Sequence, residues 1–75
     1  MNNDDNLVRM VNQIGVFFDS MPDRDEGLEG IVMHLKKFWD PSMRKALLAM
    51  IDTKKNTEVS EIVLAAIQKH RELLA

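Results

Sequence analysis

Cysteine is absent from the chain, which excludes a disulfide framework, a thiolate zinc site and a cysteine-held iron–sulfur cluster. No apolar run approaches the roughly 20 residues needed to cross a bilayer. The opening Met1-Asn2-Asn3-Asp4-Asp5 is acidic where a signal peptide would be basic. A cytoplasmic protein with no membrane contact is therefore expected. Glycine occurs only at positions 15, 27 and 30, and no phosphate-cradling loop can be built from them: Gly27 and Gly30 follow no strand, and no Gly-Lys-Ser/Thr step comes after. They are better suited to letting another helix come close. Strand-type alternation is missing throughout.

What is present is short, at 75 residues and 8.6 kDa. A chain of this size buries only about 60% of the surface its unfolded form exposes. A core and a deep pocket compete for the same few side chains, so a self-contained enzyme is not expected. One helical domain over residues 1–75 is predicted, with residues 1–5 loose. Hydrophobic residues make up 45% and charged residues 29%, the balance of a folded chain rather than a disordered one. The net charge of −2 hides an asymmetry. Residues 1–30 hold seven acids and two bases (net −5), residues 31–55 two acids and six bases (+4), and residues 56–75 three acids and two bases (−1). A nucleic-acid binder would be basic overall; a protein docking through one polarised face fits better.

Helical periodicity accounts for nearly every apolar residue. Leu7, Met10, Val11, Ile14, Phe17, Phe18 and Met21 fall within about 60° either side of Ile14 at 100° per residue. Asp4 or Asp5 is the expected cap of this first helix, and Pro22 its end. Leu28, Ile31, Val32, Leu35, Phe38 and Trp39 form a second stripe, preceded by an Asp23/Glu26 capping box. Asp40 and Pro41 are a natural N-cap and first residue for a third helix, with Met43, Leu47, Met50 and Ile51 on its stripe. The segment from Asp52 to Asn56 is polar. A fourth helix, capped by Asn56 or Thr57, would carry Val59, Ile62, Val63, Ala66, Ile67, Leu73 and Leu74. The fold predicted is an all-α bundle of four helices, with a sharp Asp-Pro corner between the second and third. A shift of 21 residues overlays Leu7 on Leu28, Val11 on Val32, Phe17 on Phe38 and Asp19 on Asp40, which would suit a pseudo-symmetric helical hairpin.

Candidate chemistry is sparse. His34 and His70 lack any paired-ligand spacing, so no metal and no cofactor is expected on this chain. A packed or partner-facing His34 and a helix-capping His70 account for both. Trp39 is the only tryptophan and is expected to be mostly buried, anchoring the corner. Asp40 and Arg44, four apart, are placed to pair. Lys36, Lys37, Arg44 and Lys45 cluster around that corner, as a solvated face or as a surface for acidic protein or phosphate. Val16, Met33 and Leu64 lie off their own stripes. With Val8, and rimmed by Arg9, Asn12 and Lys37, Val16 and Met33 would form an apolar patch with a polar rim. The candidate interaction residues are thus Val16, Met33, His34, Lys36, Lys37, Trp39, Arg44 and Lys45. A helix–turn–helix DNA reader is a poor fit: the turn is nearly absent, and Met43-Arg44-Lys45-Ala46-Leu47-Leu48 reads as a core helix.

Two runs carry a resemblance. Leu7-Val8-Arg9-Met10 with Asn12-Gln13-Ile14 and Phe17-Phe18, and His34-Leu35-Lys36-Lys37-Phe38-Trp39-Asp40-Pro41-Ser42-Met43-Arg44 with Ala46-Leu47-Leu48, resemble the small delta subunit of NAD-dependent, molybdenum-containing formate dehydrogenases. The likeness covers about residues 7–51. It implies a non-catalytic accessory subunit that supports assembly or stability of a bacterial complex. Other subunits there carry molybdopterin guanine dinucleotide, iron–sulfur clusters and flavin, and pass formate's electrons to NAD. Those subunits would be the partners, with a homo-oligomer as a further possibility and nucleic acid not expected. A free-standing regulatory or DNA-binding helical module is the alternative, and salt-dependent duplex binding would distinguish it.

Overall fold

The computed structural model describes residues 3–53 and 58–74, with side chains from Asn6 onward. Helix α1 spans Asn3–Asp19, α2 Arg24–Phe38, α3 Pro41–Thr53 and α4 Glu61–His70, followed by a 3-10 turn at Arg71–Leu73. No strand occurs among the described residues. The radius of gyration, 11.3 Å, is that of a compact chain of this length, about 11 Å.

Each helix starts and stops for a local reason. Backbone helix is already present at Asn3, so Asp4 and Asp5 sit inside the first turn rather than ahead of it. Their side chains, like the rest of the looseness expected of residues 1–5, lie outside what is described. α1 stops at Asp19, three residues before Pro22. The Met21 amide donates to the Phe18 carbonyl at 3.2 Å, and the Ser20 hydroxyl donates to the Phe17 carbonyl at 2.7 Å. Asp23 caps α2, its carboxylate accepting from the Asp25 and Glu26 amides at 2.9 and 3.3 Å; this is the N-cap half of the expected capping box. α2 ends where the residue before the Asp40-Pro41 step leaves the helical region: Trp39 is extended, with its amide still donating to Leu35. Asp40 then caps α3, accepting from the Met43 amide at 3.0 Å and the Ser42 hydroxyl at 2.6 Å. Those two donors hold its carboxyl below the usual aspartate range.

The last helix differs from expectation. Its N-cap is Ser60, not Asn56 or Thr57, which fall outside the described residues. Val59 precedes the helix and is buried in the turn. The device that holds this turn is Asn12 on α1. Its side-chain NH₂ donates to the Glu58 carbonyl, and its carbonyl oxygen accepts from the Ser60 amide, both at 2.9 Å. The amide side chain carries its donor and its acceptor on two separate atoms, so it bridges both groups at once. Asn12→Ala should cost about 2 kcal/mol, because a part-buried amide loses its partner. Asn12→Asp should not restore the loss, since it removes the donor and adds charge beside a carbonyl. Urea denaturation midpoints of the two variants decide this; a midpoint unchanged in both would remove Asn12 from any structural role.

The core lies where α1, α2 and α4 meet, with α3 closing it from the side of α1. Val11, Ile31, Val32, Leu35, Leu47 and Val63 are fully buried. Glycine sets two of the approaches. A Cβ at Gly27 would lie 2.7 Å from the Phe18 carbonyl oxygen, and one at Gly30 would strike the Phe18 ring at 2.4 Å. The end of α1 therefore seats directly on the start of α2, and the two helices run antiparallel.

The buried face of α1 is not the one the stripe predicts. Leu7, Val8, Val11 and Gly15 are buried, whereas Met10 is 40% and Phe17 68% exposed. Its centre has turned about 60° from Ile14 toward Val8 and Gly15 at 100° per residue. α4 covers that side, with Gly15 against Val63 and Ile62. On α2, Phe38 likewise leaves the core, at 71% exposed. The 21-residue correspondence survives in this respect: Leu7 and Leu28 are both buried, Val11 and Val32 both buried, Phe17 and Phe38 both exposed.

Ion pairs tie the elements together at the surface, among them Arg24–Glu61, Lys69–Asp25 and Arg71–Asp52. Arg71 grips Asp52 in bidentate fashion at 2.7 and 2.5 Å. The hydrogen bonds from Lys69 and Arg71 lower the carboxyls of Asp25 and Asp52 respectively. Exposed pairs of this kind contribute little to stability.

Candidate functional site

Turning α1 away from its apolar stripe has a consequence on the far side. The displaced residues, with their counterparts on α2, line an open groove of about 490 Å³ formed by Met10, Gln13, Ile14, Phe17, Phe18, His34 and Trp39. An aromatic row runs along it. Phe17 meets Phe18 edge-on at 5.0 Å between ring centres, Phe18 meets His34 at 6.4 Å, and His34 meets Phe38 at 4.8 Å. Trp39, only 5% exposed, lines the groove as well. Polar groups in the lining are confined to Gln13 and His34. A second hollow of about 570 Å³, along Val8, Arg9, Asn12, Gln13, Val16 and Glu58, lies on the other side of Gln13 and is more polar.

The sequence-derived candidates fall in several places. His34, half-buried, sits at the centre of the aromatic row, and Trp39 is buried and lines the same groove. Lys36 and Lys37 are exposed in the last turn of α2. Lys37, three residues after His34, is on the groove side, while Lys36 points about 100° away. Arg44 is half-buried with its Nε enclosed and unpartnered, whereas Lys45 is exposed. No Asp40–Arg44 ion pair forms among the described residues, because Asp40 is occupied by the α3 amide and Ser42. Val16 is 73% and Met33 37% exposed, but Val8 is buried at 4%. Val8 belongs to the core because α4 covers its side of α1. Val16 edges the polar hollow and Met33 lines neither, so the structure does not bring these two together.

Of the residues expected in the core, Met10 and Phe17 line the groove and are exposed, Phe18 lines it while still packing on the core, and Phe38 is exposed against His34. A signal for this existed in the chain. A glycine inside a helix marks the closest approach of a neighbour, and Gly15 lies about 100° from Ile14. The structure shows α4 using this position, with Val63 and Ile62 against it, which brings Gly15 into the buried sector and leaves Phe17 toward solvent.

Among the described residues no group of three or more His, Asp or Glu side chains could hold a metal ion, and no helix is long and apolar enough to cross a membrane. An open aromatic groove without a convergent set of titratable groups has the character of a recognition surface. The class this defines is a small helical module carrying an exposed apolar face. The chain belongs to the family described as NADH-dependant formate dehydrogenase delta subunit FdsD, which it matches over residues 6–67. That span contains the whole groove. Comparison with curated proteins and with solved structures yields no match.

Proposed function

We propose that this chain is a non-catalytic accessory subunit that supports assembly or stability of an NAD-dependent formate dehydrogenase in the cytoplasm. The other subunits of that complex are its partners. The observation that carries this reading is the aromatic row Phe17–Phe18–His34–Phe38, exposed at Phe17 and Phe38, within the family-matched span. Large aromatics 68 and 71% exposed weaken a free monomer's solubility and suit a chain that is normally covered. Redox chemistry belongs to the cofactor-bearing subunits. This chain contributes surface, and it stabilises whichever conformation of the complex it binds, by mass action.

The test is removal of the chain from its own cell and purification of the dehydrogenase. The expected result is a lower yield of intact complex, restored by a tagged copy that stays bound to the dehydrogenase subunits through washing. The formate-oxidising rate per complex recovered should be unchanged. A full yield of intact complex without the chain, with no dehydrogenase subunit retained on the tagged copy, would dismiss the proposal.

A further inference from the structure

We infer that α3 is a hinged lid on a three-helix core, opening as a unit about the Asp40-Pro41 step and latched shut by Arg71 of the C-terminal turn. This goes beyond the accessory-subunit reading and does not depend on it. α1, α2 and α4 each pack against the other two, whereas α3 packs chiefly against α1. An element with few neighbours opens locally at a free energy below that of global unfolding. The backbone at the start of α3 is built to turn. Trp39 is extended, at φ −91° and ψ 136°, and Pro41 opens α3 without an amide to donate backward. The hydrogen-bond ladder of α2 therefore stops short of α3. Asp40 caps α3 through the Met43 amide and the Ser42 hydroxyl, so the lid carries its own cap as it moves and loses no hydrogen bond at the hinge.

Closure sets opposing effects against each other. Leu47, Leu48 and Met50 are buried under the lid, which favours the closed state. Arg44 stands three and four residues before Leu47 and Leu48, on the same face, and its Nε is enclosed without a partner. Closing the lid strips water from that N–H and returns no acceptor, so this group favours opening. The latch tips the balance. Asp52 lies about 16 Å along the helix from Pro41 at 1.5 Å per residue, near the free end, where any rotation about the hinge pulls it from its partner. Arg71 grips it with two hydrogen bonds, and each group holds the other in its charged form: the Asp52 carboxyl is lowered and the Arg71 guanidinium raised. The turn that carries Arg71 packs on α2 and α4, with Leu74 after it only 5% exposed. The latch is thus fixed to the core and not to the lid. The pairs Arg24–Glu61 and Lys69–Asp25 join α2 to α4 instead. Opened, α3 presents Leu47, Leu48 and Met50 and bares the side of α1 beneath them, an apolar surface that the closed chain hides.

The experiment is amide hydrogen exchange on the purified full chain, followed residue by residue by NMR. In the wild type, amides of Leu47 to Ile51 should exchange faster than those of Ile31 to Leu35 in α2. Arg71→Gln and Asp52→Asn alter half-exposed side chains and should leave the chain folded. Each should speed α3 exchange by about three- to fivefold, the size expected of one well-oriented surface pair, with α2 unchanged. The two changes together should be no faster than either alone. The reversed pair, Asp52→Arg with Arg71→Asp, should return the rate toward that of the wild type. Arg44→Met, which keeps an apolar stem and deletes the unpaired donor, should slow α3 exchange. Lys69→Gln, which breaks a pair between α2 and α4, should leave α3 exchange unchanged. Equal protection of α3 and α2 in the wild type would overturn the lid, since α3 would then leave only with the whole fold. Unchanged α3 exchange in both Arg71→Gln and Asp52→Asn would overturn the latch. Acceleration shared equally by α1, α2 and α4 would do the same, because Arg71 would then support the whole fold and not the lid. None of these outcomes involves the dehydrogenase, so each is separable from failure of the accessory role.

Discussion

Trp39→Ala is expected to lower the unfolding free energy by about 3–5 kcal/mol, the range for truncating a large buried aromatic. Three things converge on this side chain. It is only 5% exposed, it lines the groove, and its backbone is the point where α2 stops, with the amide donating to Leu35 at 3.0 Å. Removing the indole leaves a void between the end of α2 and α1, and the Asp40-Pro41 step that follows cannot relax into it because proline bars the helical conformation at Asp40. A chain of this size has a total stability of roughly 4–11 kcal/mol, so the variant should be partly unfolded near room temperature. Trp39→Phe should recover most of the loss, since it keeps an aromatic plug. Urea or thermal unfolding of the three forms provides the measurement. An alanine variant that melts with the wild type would show that the corner is held by its caps alone.

Gly15→Leu is expected to be the next most damaging change, at about 3 kcal/mol or somewhat more, as an overpacking substitution. A bare Cβ at this position would already lie 2.9 Å from Cγ2 of Val63, 3.2 Å from Cγ2 of Ile62 and 3.4 Å from the Ser60 hydroxyl. Val63 is fully buried and Ile62 nearly so, leaving those branched side chains little space to retreat. Gly15→Ala sets two effects of similar size against each other. It gains up to about 1 kcal/mol of helix propensity and loses a comparable amount in the contact. Leucine adds bulk with no further propensity gain and must drive α4 away from α1, straining the Asn12 clamp on the same side. The alanine and leucine forms should therefore separate widely in denaturation midpoint. Equal midpoints for glycine, alanine and leucine would mean that α4 can shift freely, and the rotated core described above would lose its cause.

The two changes differ in how visible they were. Trp39 could be assigned to the interior from its place on the Leu28–Leu35 stripe and its position just before Asp40-Pro41. Gly15 carried no such assignment. Its role depends on which helix lies across α1, and that is a property of the whole packing. The family likewise could be read from two short runs, and the match over residues 6–67 bears it out. The groove was hinted at only by Gly15, because Met10, Phe17 and Phe18 sat on a stripe that looked like core.

By itself the sequence determined the four helices and the starts of the middle two: apolar residues at helical spacing, Asp23 and Asp40 at N-caps, Pro41 at a first turn, and no strand pattern. These are local matters, settled by backbone geometry and by hydrogen bonds over a few residues. Tertiary packing decided which sector of each amphipathic helix was covered. Four short helices offer more apolar surface than 75 residues can enclose, because a small chain has too much surface for its volume. α4, drawn in by Gly15 and held by Asn12, claimed the Val8 side of α1. Phe17 and Phe38, with the same periodicity as their buried neighbours, were left facing solvent. Periodicity states the angle at which a side chain leaves its helix; only the neighbour that arrives at that angle makes it core or surface.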